Sequence, residues 1–222
     1  MPDAIRVAST GQTVEYTPVG AVVAGAVVAR SDLVGVATAP IAAGVAGSLQ
    51  VAGIVEFKKT SALAIAVGDD VYWNPVTAEA NKTAGVRASV TLTFTGVALT
   101  GETTTIGTRV YTWRTTPALV DEIAVGANQA ASQANLTAAI NSGPPISGGP
   151  NTQVTAVNTG ATVVLTAIDY GTAGNAIAST ETLTNASFGS ATLINGAGGA
   201  KIGKCVVAAA NPSATVKVKM KQ

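Results

Sequence analysis

The sequence predicts a mostly β protein in two parts: a β-barrel or β-sandwich domain, and a small α+β domain of a sheet plus one helix. Three observations predict this. Apolar and polar residues alternate at period two over residues 1–84, the spacing of strands with one buried face. From about Val86 the texture changes to Thr-rich runs followed by a single stretch with helical spacing. The last stretch is different again, with strict alternation of Val216, Val218 and Met220 with lysines.

In the first part the expected strands lie near Thr13–Pro18, Ala21–Arg30, Leu33–Ala39, Ser48–Lys58 and Asp70–Trp73. Gly20, the Gly44-Val45-Ala46-Gly47 run and Asn74-Pro75 punctuate them as turns. Val90–Thr95, Thr105–Arg114 and Asp121–Val125 follow as further strands. Ala127–Asn141 reads as a helix, because Gln129, Gln133, Leu136 and Ile140 recur at helical spacing. Asn128 is placed to cap its start, and Gly143-Pro144-Pro145 stops it. Thr152–Val157 and Thr162–Ala167 form a hairpin through Asn158-Thr159-Gly160, with Val154, Ala156, Val163 and Leu165 inward. Cys205–Ala209 and Ala214–Lys221 close the chain around an Asn211-Pro212-Ser213 turn. The texture of the chain thus changes near residue 86 and again near residue 200.

Composition narrows the function classes. Hydrophobic residues make up 47% of the chain, but Ala, Val and Gly dominate and aromatics are only 4%, so the cores should be built from thin, β-branched layers. Charged residues are 11%, less than half the roughly 25% of ordinary soluble domains. Such a surface suits extensive packing against neighbours more than electrostatic steering. Histidine is absent, which removes the commonest general base and metal ligand. Cys205 is the single cysteine, set in an apolar run, and reads as a buried structural thiol. Asp69-Asp70 and Asp121-Glu122 are sequence neighbours that a strand would point to opposite faces, so neither makes a converging acid pair. The Gly68-Asp69-Asp70 corner has too few carboxylates for a calcium loop. No catalytic, cofactor-binding or metal-ligating residue is assigned, and the chain reads as no enzyme.

The N-terminus lacks the basic and apolar regions of a signal peptide, so synthesis in a cytoplasm without export is expected. Leu33–Val55 carries no charge, but Gly35, Pro40, Gly44, Gly47 and Gly53 divide it into strands and turns instead of a membrane span. The closing strand alternates Val216, Val218 and Met220 with Lys217, Lys219 and Lys221. One face is expected to be buried and the other cationic. Aromatic residues for base stacking are missing from this stripe, so nucleic acid is not an expected partner. Lysines of this kind also protect sheet edges against pairing.

With these residues laid out, positions 1–84 and 200–222 together resemble the β-barrel family of phage capsid cement proteins. The resemblance rests on Thr13-Val14-Glu15-Tyr16, on Val19-Gly20-Ala21-Val22-Val23-Ala24-Gly25 and on Leu33-Val34-Gly35-Val36-Ala37. It continues through Gly53-Ile54-Val55-Glu56-Phe57-Lys58-Lys59, Gly68-Asp69-Asp70-Val71-Tyr72-Trp73, Ile202-Gly203-Lys204-Cys205-Val206 and Thr215-Val216-Lys217-Val218. In that family the Tyr-Trp strand leads within a few residues into the Ile-Gly strand, whereas here 86–199 intervenes, so the resemblance implies one discontinuous domain of 1–85 with 200–222 and 86–199 as an inserted α+β domain. The intervening segment resembles a module of several phage virion proteins, through Val90–Gly96, Val110–Trp113, Ile123–Ala127, Ala134–Asn141 and Gly171–Asn175.

The resemblance implies a structural virion protein, made in the host cytoplasm, that decorates and stabilises the outer surface of a tailed-phage capsid. It implies a homotrimer bound to the major capsid protein at capsomer junctions, with the insertion projecting outward and no membrane partner. Candidate capsid-contact residues are Pro2, Asp3, Ala4, Ile5 and Arg6 at the N-terminus, where Pro2–Ser9 could order on binding, and Lys217, Lys219 and Lys221 near the end. A second reading has the insertion bind a host-surface glycan or protein as a virion-anchored adhesin, with Tyr111, Trp113 or Tyr170 stacking on a sugar. For Trp113, alternating with Tyr111 in an apolar strand, core packing is the stronger expectation. A third reading is a tail structural protein.

Overall fold

In the computed structural model, residues 4–8, 12–146 and 148–220 are described. Eight strands come first: β1 (Ala4–Ala8), β2 (Thr13–Tyr16), β3 (Val27–Arg30), β4 (Leu33–Ala37), β5 (Gly47–Gln50), β6 (Gly53–Lys58), β7 (Asp70–Asn74) and β8 (Glu79–Asn81). Then follow β9 (Arg87–Phe94), β10 (Thr103–Ile106), β11 (Arg109–Arg114), β12 (Glu122–Ala124) and the helix α1 (Gln129–Ser142). The hairpin strands β13 (Val154–Thr159) and β14 (Thr162–Tyr170) lead through a 3-10 turn to β15 (Ser179–Glu181) and β16 (Ala186–Phe188). β17 (Ala200–Val207) and β18 (Thr215–Met220) complete the described chain. A mostly β fold is what the period-two patterning predicted.

The chain divides into two compact units, one of residues 1–86, 169–171 and 197–222, the other of residues 87–168 and 172–196. In the first unit, the six-stranded sheet has the order β1-β6-β18-β17-β7-β8, and a four-stranded sheet has the order β2-β5-β4-β3. Neither closes into a barrel. An isolated parallel bridge between Lys59 and Ala80 brings β8 toward the end of β6, but it does not extend into a ladder. Of the two expected forms, the open sheets correspond to a sandwich: Val34 and Val36 of β4 share one core with Val55, Phe57, Trp73, Val216 and Val218 of the larger sheet. Phe57 and Trp73 supply its bulk, with ring centroids 6.1 Å apart.

Glycines account for two differences from the expected strands. Ser48–Lys58 is two strands in two sheets, β5 and β6, because the chain turns at Gly53 with φ 102°. That conformation is open to glycine and strained for residues with a Cβ. Thr105–Arg114 is likewise a hairpin, with β10 and β11 paired so that Ile106 faces Arg109 across a turn containing Gly107, φ 63°.

The second unit holds the sheets β12-β11-β10-β15 and β13-β14-β9-β16. Its single core joins Leu92, Phe94, Tyr111 and Trp113 to Leu136 and Ile140 of α1 and to Val154, Val163 and Leu165. The helix begins as its sequence suggests: the Asn128 side chain accepts a hydrogen bond from the Ala131 N–H. It ends at Gly143, φ 97°, whose N–H bonds the Ala139 carbonyl. No helix among the described residues is long and apolar enough to cross a membrane.

Candidate functional site

The outer face of the six-stranded sheet gathers most of the first unit's lysines. β18 lies between β6 and β17, so it is a central strand and its lysines do not protect an edge. Val216, Val218 and Met220 are buried, Lys217 is half-buried and Lys219 exposed, as alternation requires. Across the sheet, Lys217 stands opposite Glu56 of β6 and Val207 of β17, while Lys219 stands opposite Ile54 and Lys204. Two like charges directly opposed are mildly destabilising.

Neighbouring carboxylates offset some of these charges and leave others. Asp70 Oδ1 lies 2.8 Å from Lys204 and 2.9 Å from Lys201, and these two ion pairs hold its carboxyl below the usual range. The Asp70 contact in turn raises the Lys201 pKa. Lys82 reaches Asp69 at 2.7 Å and, with the Ala66 N–H, lowers that carboxyl too. Lys58 lies 3.4 Å from Glu79. Glu56, opposite Lys217, instead accepts the Thr215 hydroxyl at 2.6 Å. Among the described residues, Lys217 and Lys219 have no ion pair. Among the described residues, this face therefore presents two lysines without an ion pair beside the exposed Val207.

The sequence-predicted contact residues fall as follows. Ala4, Ile5 and Arg6 lie in β1, which pairs antiparallel with β6 so that Ile5 stands opposite Glu56 and Arg6 opposite Val55. Backbone register thus brings β1 within two strands of Lys217 and Lys219, with β6 between. Pro2, Asp3 and Lys221 lie outside the described residues. Nothing in local sequence linked the two groups, because the pairing of β6 with both strands is long-range.

The remaining candidates resolve into packing. Trp113 and Tyr111 have no exposed surface, which removes both as sugar-stacking platforms. Trp113 Nε1 donates to Thr104 Oγ1 at 3.0 Å, and its ring meets Phe94 edge-on. Tyr111 accepts from Asn151 Nδ2 and lies beneath the Arg109 guanidinium; burial raises its pKa. Asp121 and Glu122 engage separate partners, Arg109 and Arg114. Backbone N–H groups of Ala118 and Leu119, together with Arg114, hold the Glu122 carboxyl low. Cys205 is buried, and burial pushes its thiol up, away from the reactive thiolate.

Sequence reasoning did not find a cleft of about 670 Å³ in the first unit, lined in part by Asp32, Tyr72, Tyr170 and Lys201. Tyr170 Oη donates to Asp32 Oδ1 at 2.8 Å, and Asp169 pairs with Arg30 at 3.0 Å. These partners are more than 130 positions apart in the chain, and no local pattern announces them.

Residues 8–103 match the family model described as phage cement protein. The match supports a phage cement protein family. Such a family is one of structural phage proteins rather than enzymes, and it carries a capsid-associated role, partnership with capsid proteins and a place in the virion capsid. The matched stretch contains β2 to β9; β17, β18 and most of the second unit lie outside it. A solved structure from Mycobacterium phage Patience aligns with 100% of this chain and 98% of its own at 10% identity. Its TM-score of 0.29 is too low to carry an argument. No curated protein matches.

Proposed function

We propose that this protein decorates the outer surface of a tailed-phage capsid, binding the major capsid protein at capsomer junctions as a homotrimer and stabilising the lattice. The family match over residues 8–103 carries the reading. The outer face of the six-stranded sheet is the docking surface, with Lys217 and Lys219 and the neighbouring β1 meeting an acidic patch on the capsid. Three linked footprints make individually weak contacts sufficient. The 86–199 segment projects outward from the head.

The test is co-sedimentation of the purified protein with expanded heads that lack it. Saturation at a fixed ratio to capsid protein, with heads more resistant to heat, is the expected result. Lys217→Glu with Lys219→Glu should weaken attachment by about 10-fold or more, since reversing charges at a complementary contact costs roughly a kcal/mol or more in total. Protein that stays in the supernatant while binding host cells would overturn decoration in favour of an adhesin. Undiminished attachment of the double variant would remove this sheet face as the docking surface.

A further inference from the structure

We propose that the uncharged tip of the small sheet in the first unit is the surface through which copies of this chain associate. This rests on the homotrimer reading above and assigns it a contact. Residues 16–29 and 33–55 contain no charged side chain. They build β3 up to Ala29, β4 and β5, the loop that leads into β3 and the loop that joins β4 to β5, and at one end of this sheet those two loops are tied together. Val22 and Ile41 exchange backbone hydrogen bonds at 2.8 Å each way, and the Gly44 N–H bonds the Pro18 carbonyl at 2.8 Å. These bonds tie the loop that carries Val19 and Val23 to the loop that carries Val45. Val22 and Ile41 turn inward onto Leu49, while Val19 is 100% exposed, Val23 70% and Val45 55%.

Three exposed valines on loops held together by backbone hydrogen bonds form an apolar surface of the kind that marks a protein contact. The absence of charge selects the partner. In a closed symmetric assembly, surfaces near the axis meet their own copies, and any charge there faces its like. The tip carries no such penalty. The lysine face is the opposite case, since Lys217 and Lys219 would repel their copies and suit a foreign acidic surface.

Sedimentation velocity of the full chain without heads tests this for wild type, Val19→Lys and Val19→Lys with Val45→Lys. Val19 is wholly exposed, so the single variant keeps its fold, as circular dichroism checks. Wild type should assemble, and the double variant should associate about 100-fold more weakly, because like charges brought together at an interface cost several kcal/mol. Lys217→Glu with Lys219→Glu should leave assembly unchanged. Wild type and tip variants that assemble alike would overturn the assignment and leave the homotrimer standing. A wild type that is monomeric at about 100 μM, a concentration at which even weak specific contacts populate, would overturn both. Tip variants that assemble normally but no longer bind heads would transfer the tip to the capsid contact.

Discussion

Gln133 lies on the core face of α1, is 1% exposed, and its Nε2 has no hydrogen-bond partner among the described residues. A buried donor left unpaired costs about 1–3 kcal/mol, the desolvation it suffered without compensation. Gln133→Met keeps an unbranched side chain and a comparable helix propensity, and it removes the amide. A volume-conserving swap of this kind costs under about 1.5 kcal/mol in repacking. The expected net is a gain of roughly 1 kcal/mol, which for a unit of about 100 residues raises its melting temperature by about 4–8 °C. The assay follows Trp113 fluorescence during thermal unfolding in a Trp73→Phe background, so that the single remaining tryptophan reports the second unit. Leu136→Ala, on the same helix face, should lose about 2–5 kcal/mol and shows that the signal tracks this core. A Gln133→Met loss of more than about 1 kcal/mol would refute the reasoning, because it would mean that the amide is paired in solution.

Lys59 is 1% exposed, with Nζ donating to the Thr60 carbonyl at 3.0 Å and the Ser61 carbonyl at 3.3 Å. Burial lowers its pKa from 10.5, against an opposing pull from Glu79. The folded protein then binds fewer protons than the unfolded chain between the lowered value and 10.5, and stability contributed by this group rises with pH across that window. Lys59→Met should therefore gain most relative to wild type at neutral pH, with the gap narrowing on alkaline titration of urea-unfolding curves; a pH-independent gap would contradict this. Trp113→Ala should cost the second unit about 3–5 kcal/mol in urea unfolding, whereas an effect under 1 would return the ring to the surface. In the first unit, a Cβ on Gly199 would collide with the Trp73 carbonyl oxygen, so Gly199→Ala should destabilise by about 3 kcal/mol or more by calorimetry. An unchanged melting temperature would show that Gly199 does not lie against the Trp73 carbonyl.

The sequence by itself determined the features that depend on near neighbours. Alternation separated buried Val216, Val218 and Met220 from Lys217 and Lys219, because successive strand residues point to opposite faces. Asn128 and Gly143 bounded α1, since a cap bonds backbone only a few residues away. The cement-family resemblance was also legible, and its match lies within residues 8–103.

Tertiary structure decided whatever depends on which distant strands meet. An apolar run such as Ser48–Lys58 has the same composition whether straight or broken, and only the two sheet partners of β5 and β6 required the turn at Gly53. Openness of the sheets follows from β1 and β8 ending as edges, which no strand's own pattern states. Which lysines remain uncompensated was settled the same way. Asp70 binds Lys201 and Lys204 across a strand pairing that spans more than 120 positions, and among the described residues Lys217 and Lys219 are left without an ion pair.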